Sequence, residues 1–279
     1  MRKAQYIKFA LVLVVLVLVL ILLAVRCGAS KTPDEETGGS VSAGTAYLTS
    51  LEQRDPGEVD QILKEQRVQE IEQLREERLQ QLESGELSVW SLFEDYVLLG
   101  DSRAVGFYFY EFLPENRVLA EAGATILHLQ EQIPTLQEIN PSSIFLCYGL
   151  NDVSIGIWTT PEEYTAQFSE ILAELHTALP DAQVYISSIL PARDPAFDTA
   201  SVWREIPTYS AAVGEMCESI DYCHFVDCDS LAEAYADLWD IDGIHVQRDF
   251  YPHWAAALIT EEYTSGLTED LQDTASSEE

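Results

Sequence analysis

Four short blocks of this sequence combine residue types suited to nucleophilic catalysis: Gly100-Asp101-Ser102-Arg103, Glu121-Ala122-Gly123, Tyr148-Gly149-Leu150-Asn151-Asp152 and Asp242-Gly243-Ile244-His245. A serine hydroxyl is a poor nucleophile until a base takes its proton, and imidazole is the usual base. Asp242 and His245 stand three positions apart, so on a turn they share a face and the carboxylate can orient the ring. A glycine amide such as that of Gly123 is sterically open and can point at negative charge that exists only in a transition state. The chain contains no Gly-x-Ser-x-Gly elbow, which argues against a conventional α/β-hydrolase.

These blocks need a scaffold that brings them to one place. From Trp90 onward short apolar runs alternate with amphipathic stretches. The pattern predicts strands over 96–99, 118–120, 143–148, 184–189 and 222–226, and helices over 103–113, 126–139, 161–179 and 206–219. A shorter helix is expected over 231–237 and a last one over 248–263. Uninterrupted apolar strands separated by helices imply an α/β fold, with a parallel sheet of about five strands covered on both faces. Functional groups in such sheets gather at the carboxyl ends of the strands. Three of the blocks follow strands directly, and the fourth follows the final strand and its helix. Ser102 is expected at a helix N-terminus, whose partial positive charge favours developing negative charge.

Gly-Asp-Ser, a strand-end Gly, Gly-x-Asn-Asp and Asp-x-x-His, in that order, resemble the blocks of the SGNH (GDSL) hydrolase family. The resemblance spans about residues 95–260. It implies a three-layer α/β/α, flavodoxin-like fold and ester chemistry through an acyl-enzyme. It also implies Ser102 as nucleophile, Asp242 and His245 as the rest of a triad, and an oxyanion hole made by the Ser102 and Gly123 N–H groups and the Asn151 amide. One position departs from the pattern: Arg103 stands where the family more commonly has Leu. A cation there suits a substrate carrying a carboxylate or another anionic group; the competing reading pairs it with a surface acid. Tyr148 and Trp158 are candidates for lining the cleft, where aromatic faces stack on sugars, although Trp is as often core. Asp101 and Asp152 read as loop-bracing residues, and His128, His176, His224 and His253 as surface or packing residues. The cluster of Asp240, Asp242 and His245 lacks a second group at ligand spacing, so no metal is assigned, and no cofactor is expected.

The 279 residues carry 15 basic and 48 acidic side chains, a formal charge of -33. Such a field repels phosphate backbones, and no basic cluster overcomes it, which excludes nucleic acid as a partner. Arg2, Lys3, Lys8 and Arg26 stand in the first 30 positions, where there is no acid. Positions 9–25 are apolar without interruption, a run that would span roughly 25 Å as a helix, enough to cross a bilayer's hydrocarbon core. With its basic residues inside, this anchor places the rest of the chain outside the cell membrane. A cleaved signal peptide and a lipidated Cys27 are the alternatives, and Arg26 immediately before Cys27 argues against the second. Of the five cysteines, Cys147, Cys217, Cys223 and Cys228 read as independent buried thiols, with one bridge among the last three as the alternative.

The chain therefore divides into an anchor with its cytoplasmic N-terminus (1–30), a flexible tether (31–54), a stalk helix (55–85), a catalytic domain (86–265) and an acidic disordered tail (266–279). The expected activity is a serine esterase or acylhydrolase removing small O-acyl groups from an acylated small molecule or a cell-envelope glycan. An O-acyltransferase that uses the same acyl-enzyme is the first alternative. A non-catalytic envelope-binding module on a stalk is the second.

Overall fold

The computed structural model describes residues 56–276. The expected membrane anchor, the tether and Cys27 lie outside the described residues, and no described helix is long and apolar enough to cross a membrane. From residue 65 onward the described residues form one compact unit.

The first helix, α1, covers Pro56–Glu83. Proline at its first position lacks an N–H that would in any case go unpaired. Early in the helix Ile62, Leu63 and Val68 are exposed. From Ile71 onward the spacing changes character. Ile71, Leu74, Arg75, Arg78, Leu79 and Leu82 are all half-buried, a stripe at helical period. Within it Arg75 Nη1 donates to Glu261 Oε2 at 2.9 Å, and the Arg78 guanidinium lies 4.1 Å from the centre of the Tyr263 ring. The later part of this helix, from Ile71 onward, therefore packs on the globular body.

Five strands follow: β1 (Tyr96–Gly100), β2 (Val118–Ala120), β3 (Ser143–Cys147), β4 (Gln183–Ser187) and β5 (Cys223–Val226). They form one wholly parallel sheet in the order β2-β1-β3-β4-β5, the flavodoxin-type arrangement. Strand alternation splits the apolar residues between two cores. Val97, Leu99, Ile144, Leu146, Val184 and Ile186 face one side, with Ile126, Leu129, Phe168, Leu172 and Val213. Those partners come from α3 (Ile126–Ile139), α5 (Pro161–Ala178) and α7 (Ile206–Cys217). Tyr96, Leu98, Phe145, Tyr185 and Val226 face the other side, against Phe250, Trp254 and Leu258. The last two belong to α9 (Tyr251–Ser276). Both faces are thus covered, and a fully buried Phe145 or Trp254 contributes on the order of 2–3 kcal/mol. Short helices α2 (Gly106–Phe109), α4 (Leu150–Ile155), α6 (Ala196–Thr199) and α8 (Asp229–Ala234) occupy the connections.

Two expectations about helices need correction. The stretch 103–113 is not one helix: only Gly106–Phe109 is helical, and Ala104, Gly106 and Phe107 donate to carbonyls three residues back, at Asp101, Arg103 and Ala104. Ser102 therefore sits in a tight turn, not at the head of a long helix dipole. The segment expected to be an unstructured acidic tail begins as helix, since α9 continues to Ser276. Thr264 and Ser265 are buried on it, so packing holds the chain helical past Tyr263. The cysteines at 147, 217, 223 and 228 are all buried and unbridged.

Candidate active site

The first block, which carries Ser102, leaves the carboxyl end of β1 at Gly100. A Cβ on Gly100 would collide with the Cys147 carbonyl and the Ala104 side chain, so only glycine lets the turn pass this close to β3. The Asp101 N–H donates to that Cys147 carbonyl at 3.2 Å. Asp101 is fully buried, and Oδ1 of its carboxylate accepts the Arg103 N–H at 2.9 Å, closing a turn around Ser102. Ser102 itself is half-buried, with its hydroxyl turned to His245.

The fourth block lies in the loop between α8 and α9. His245 Nε2 is 2.9 Å from Ser102 Oγ, and His245 Nδ1 is 2.6 Å from Asp242 Oδ2. The other carboxylate oxygen of Asp242 accepts the N–H groups of Ile244 and His245 at 2.8 and 2.9 Å. Burial alone would raise the Asp242 carboxyl; the hydrogen bonds from the His245 ring and the two N–H groups outweigh it and hold the group below its ordinary range. The loop is pinned from behind by Arg193, whose N–H donates to the Gly243 carbonyl at 2.8 Å.

The second and third blocks brace each other. Asn151, in the first turn of α4, donates from Nδ2 to the Ala124 carbonyl at 2.9 Å. Its neighbour Asp152, fully buried, accepts the Ile126 N–H at 2.8 Å and so caps α3. Burial pushes the Asp152 carboxyl up to about 7, against the opposing pull of the Ile126 N–H. Between these contacts Gly123 is exposed at φ +83, a conformation that other residues adopt only with strain.

The sequence therefore brings Ser102, Gly123, Asn151, Asp242 and His245 to the carboxyl edge of the sheet, with Asp101 and Asp152 as loop braces. Three expected substrate-contacting residues do not belong there. Arg103 is 3% exposed, and its guanidinium is spent on Asp101 and on the Leu190 carbonyl, 2.6 Å from Nη1. The Tyr148 side chain is buried, with its hydroxyl 3.0 Å from His128 Nδ1. Trp158 packs edge-on against Tyr164 in the core. Apolar burial outcompetes a cleft position for both aromatic residues. His176, His224 and His253 stack on Tyr222, Tyr185 and Tyr235, as packing residues should. Sequence reasoning missed Tyr251, whose hydroxyl donates to the Arg103 carbonyl at 2.8 Å. Gly106 makes room for it, because a Cβ there would overlap the Tyr251 hydroxyl.

Among curated proteins, none matches the chain. Several solved structures are similar. A lipase/acylhydrolase from Enterococcus faecalis is 15% identical, with 61% of this chain and 96% of that one covered at a TM-score of 0.49. A GDSL-like lipase from Bacteroides thetaiotaomicron is 18% identical, with 60% and 86% covered and a TM-score of 0.49. The C-terminal catalytic domain of peptidoglycan O-acetyltransferase A from Streptococcus pneumoniae is 17% identical, with 64% and 95% covered and a TM-score of 0.43. Residues 98–251 match the GDSL-like Lipase/Acylhydrolase family, a stretch that takes in all four blocks and more than half of the chain. The chain belongs to that family and is an enzyme of the SGNH hydrolase or acyltransferase kind.

Proposed function

We propose that the enzyme cleaves small O-acyl esters through a covalent acyl-Ser102 intermediate. The observation that carries this reading is the unbroken hydrogen-bonded series from Ser102 Oγ to His245 Nε2 at 2.9 Å and from His245 Nδ1 to Asp242 Oδ2 at 2.6 Å. Neutral His245 takes the hydroxyl proton at Nε2 as Ser102 Oγ attacks the acyl carbonyl, and Asp242 stabilises the imidazolium that forms. The tetrahedral oxyanion is met by the Ser102 and Gly123 N–H groups and by the remaining Nδ2–H of Asn151, whose other N–H is held by Ala124. Collapse expels the alcohol with the proton from His245 and leaves the acyl ester on Ser102. Water, activated by the same imidazole, then releases the acid and restores the serine. In the transferase alternative a sugar hydroxyl replaces water in this second half.

The substrate class follows from the placement of the chain. The apolar run at 9–25 and the basic residues before it anchor the enzyme in the cell membrane with its catalytic domain outside, next to envelope glycans. Its strong negative charge favours a neutral acyl group such as acetyl over an anionic lipid head.

A fluorophosphonate probe followed by peptide mapping tests the mechanism. Label is expected on Ser102, absent in Ser102→Ala and greatly slowed in His245→Ala. A folded Ser102→Ala protein that labels like the parent overturns it. Chromogenic acetyl and longer acyl esters, assayed with and without a sugar acceptor, then separate chain-length preference and hydrolysis from transfer.

A further inference from the structure

Residue 103 is held at every polar group it has. Its N–H donates to Asp101 Oδ1 at 2.9 Å, and its carbonyl accepts the Tyr251 hydroxyl at 2.8 Å. Its guanidinium donates from Nε and Nη2 to the two carboxylate oxygens of Asp101, at 3.4 and 3.3 Å, and from Nη1 to the Leu190 carbonyl at 2.6 Å. That last bond crosses from the nucleophile turn to the segment after β4. Just beyond Leu190, the Pro191 carbonyl accepts the Trp239 indole N–H at 3.2 Å, and the Arg193 N–H donates to Gly243 at 2.8 Å. Gly243 lies between Asp242 and His245, packed so closely on the Arg193 carbonyl that no Cβ fits. A short bonded route therefore leads from the Arg103 guanidinium to the loop that carries the base.

We infer that Arg103 is a positioning residue: it sets the nucleophile turn against the loop of Asp242 and His245, and so fixes the Ser102–His245 separation. The inference rests on the reading of Ser102 as nucleophile. Stability alone is a weak reason to bury this pair, because well-packed apolar residues commonly replace a buried ion pair without loss. Geometry is a better one. The rigid guanidinium fork meets a carboxylate and a carbonyl in fixed directions, which a lysine ammonium cannot do. A registry device suits a catalytic hydrogen bond between loops 143 residues apart in sequence, since a displacement of ~1 Å can cost on the order of 10²-fold in rate.

Two variants test this in the full chain. Arg103→Lys keeps a charge beside Asp101 but loses the fork. Asp101→Asn with Arg103→Met removes both charges, and Asn still accepts the residue-103 N–H. Turnover of an acetyl ester is measured per folded molecule, with the folded fraction from circular dichroism and Ser102→Ala as reference. Both variants should lose about 10- to 100-fold in kcat with KM within about threefold, since ground-state binding is untouched. Parental kcat per folded molecule in either variant overturns the inference. So does a loss that only tracks the folded fraction, or failure of both variants to fold, which would make Arg103 a residue of the fold alone. If Ser102→Ala itself keeps parental turnover, the nucleophile reading fails, and that result is distinct from the others.

Discussion

The two loops that meet at the candidate site are built on opposite terms. The nucleophile turn is interior: Asp101 is fully buried, Arg103 nearly so, and buried polar contacts fix the turn on both sides of Ser102. The acid–base loop is wet. Asp242 and His245 are each 43% exposed, and Ile241 beside them is 95% exposed. Within the nucleophile turn, errors of position are suppressed by packing; in the other loop, orientation depends on a few hydrogen bonds in competition with water. On the proposed mechanism, rigidity on one side and solvent access on the other suit a base that exchanges protons in every cycle while its nucleophile stays still.

Substitutions at the two loops sharpen this contrast. Asp242→Asn should lower kcat severely, yet by less than the ~10⁴-fold associated with a buried triad carboxylate, because water can partly solvate the imidazolium. A loss as large as that would mean the loop closes over substrate. In the parent, Asp242 is held below its ordinary range and stays anionic well into acid. Asp242 should therefore add no ionisation of its own to the acid side of the kcat/KM profile near neutral pH; an ionisation there that disappears in Asp242→Asn would break the assignment. Asn151→Ala should cost ~10²–10³ in kcat with little change in KM, whereas a loss confined to KM would make Asn151 a substrate-binding group.

Smaller effects test the braces through stability. The Asp152 carboxyl is raised to about 7 in the fold, above its ordinary value, so its contribution is complete below about pH 4 and is lost as pH rises through 7. Asp152→Asn keeps an acceptor for the Ile126 N–H and removes the ionisation. Urea titrations should show the parent losing roughly 3–5 kcal/mol relative to this variant between pH 4 and 8. Parallel pH curves would show that the carboxyl is not penalised. Smallest of all, Arg75→Ala should lower stability by about 1 kcal/mol or less, because its bond to Glu261 is partly exposed.

What could be read from the sequence follows from how local its cause is. The strands were legible because a parallel sheet covered on both faces demands unbroken apolar runs, and Val118–Ala120 and Ile126–Ile139 fall where the pattern puts them. The site was legible because three of its blocks follow strands directly and the fourth carries a close Asp-x-x-His pair. The sequence leaves Arg103 between a substrate contact and a pairing with a surface acid; that it pairs with the buried Asp101 is decided in part by the Leu190 carbonyl, 87 positions away. No local signal reports such a partner. Tyr148, just after β3, and Trp158, between α4 and α5, share that cause, since an aromatic residue at the end of an element turns inward or outward according to what packs against it. How far α1 docks was obscured because Arg75 and Arg78, which interrupt its apolar stripe, make contacts with Glu261 and Tyr263.

The thiol of Cys147 has a use in the laboratory. It lies immediately behind the nucleophile turn, through the bond from Asp101, and burial raises it well above the ordinary thiol range. A disulfide reagent can reach it only when that part of the sheet opens. When closing outpaces reaction, the labelling rate is the intrinsic rate multiplied by the opening equilibrium. Peptide mapping separates Cys147 and Cys228, which share one core, from Cys217 and Cys223, which belong to the other. The protein thus carries a native gauge for each face of its sheet, and the one at Cys147 reads what fraction of the time the floor beneath Ser102 is loose.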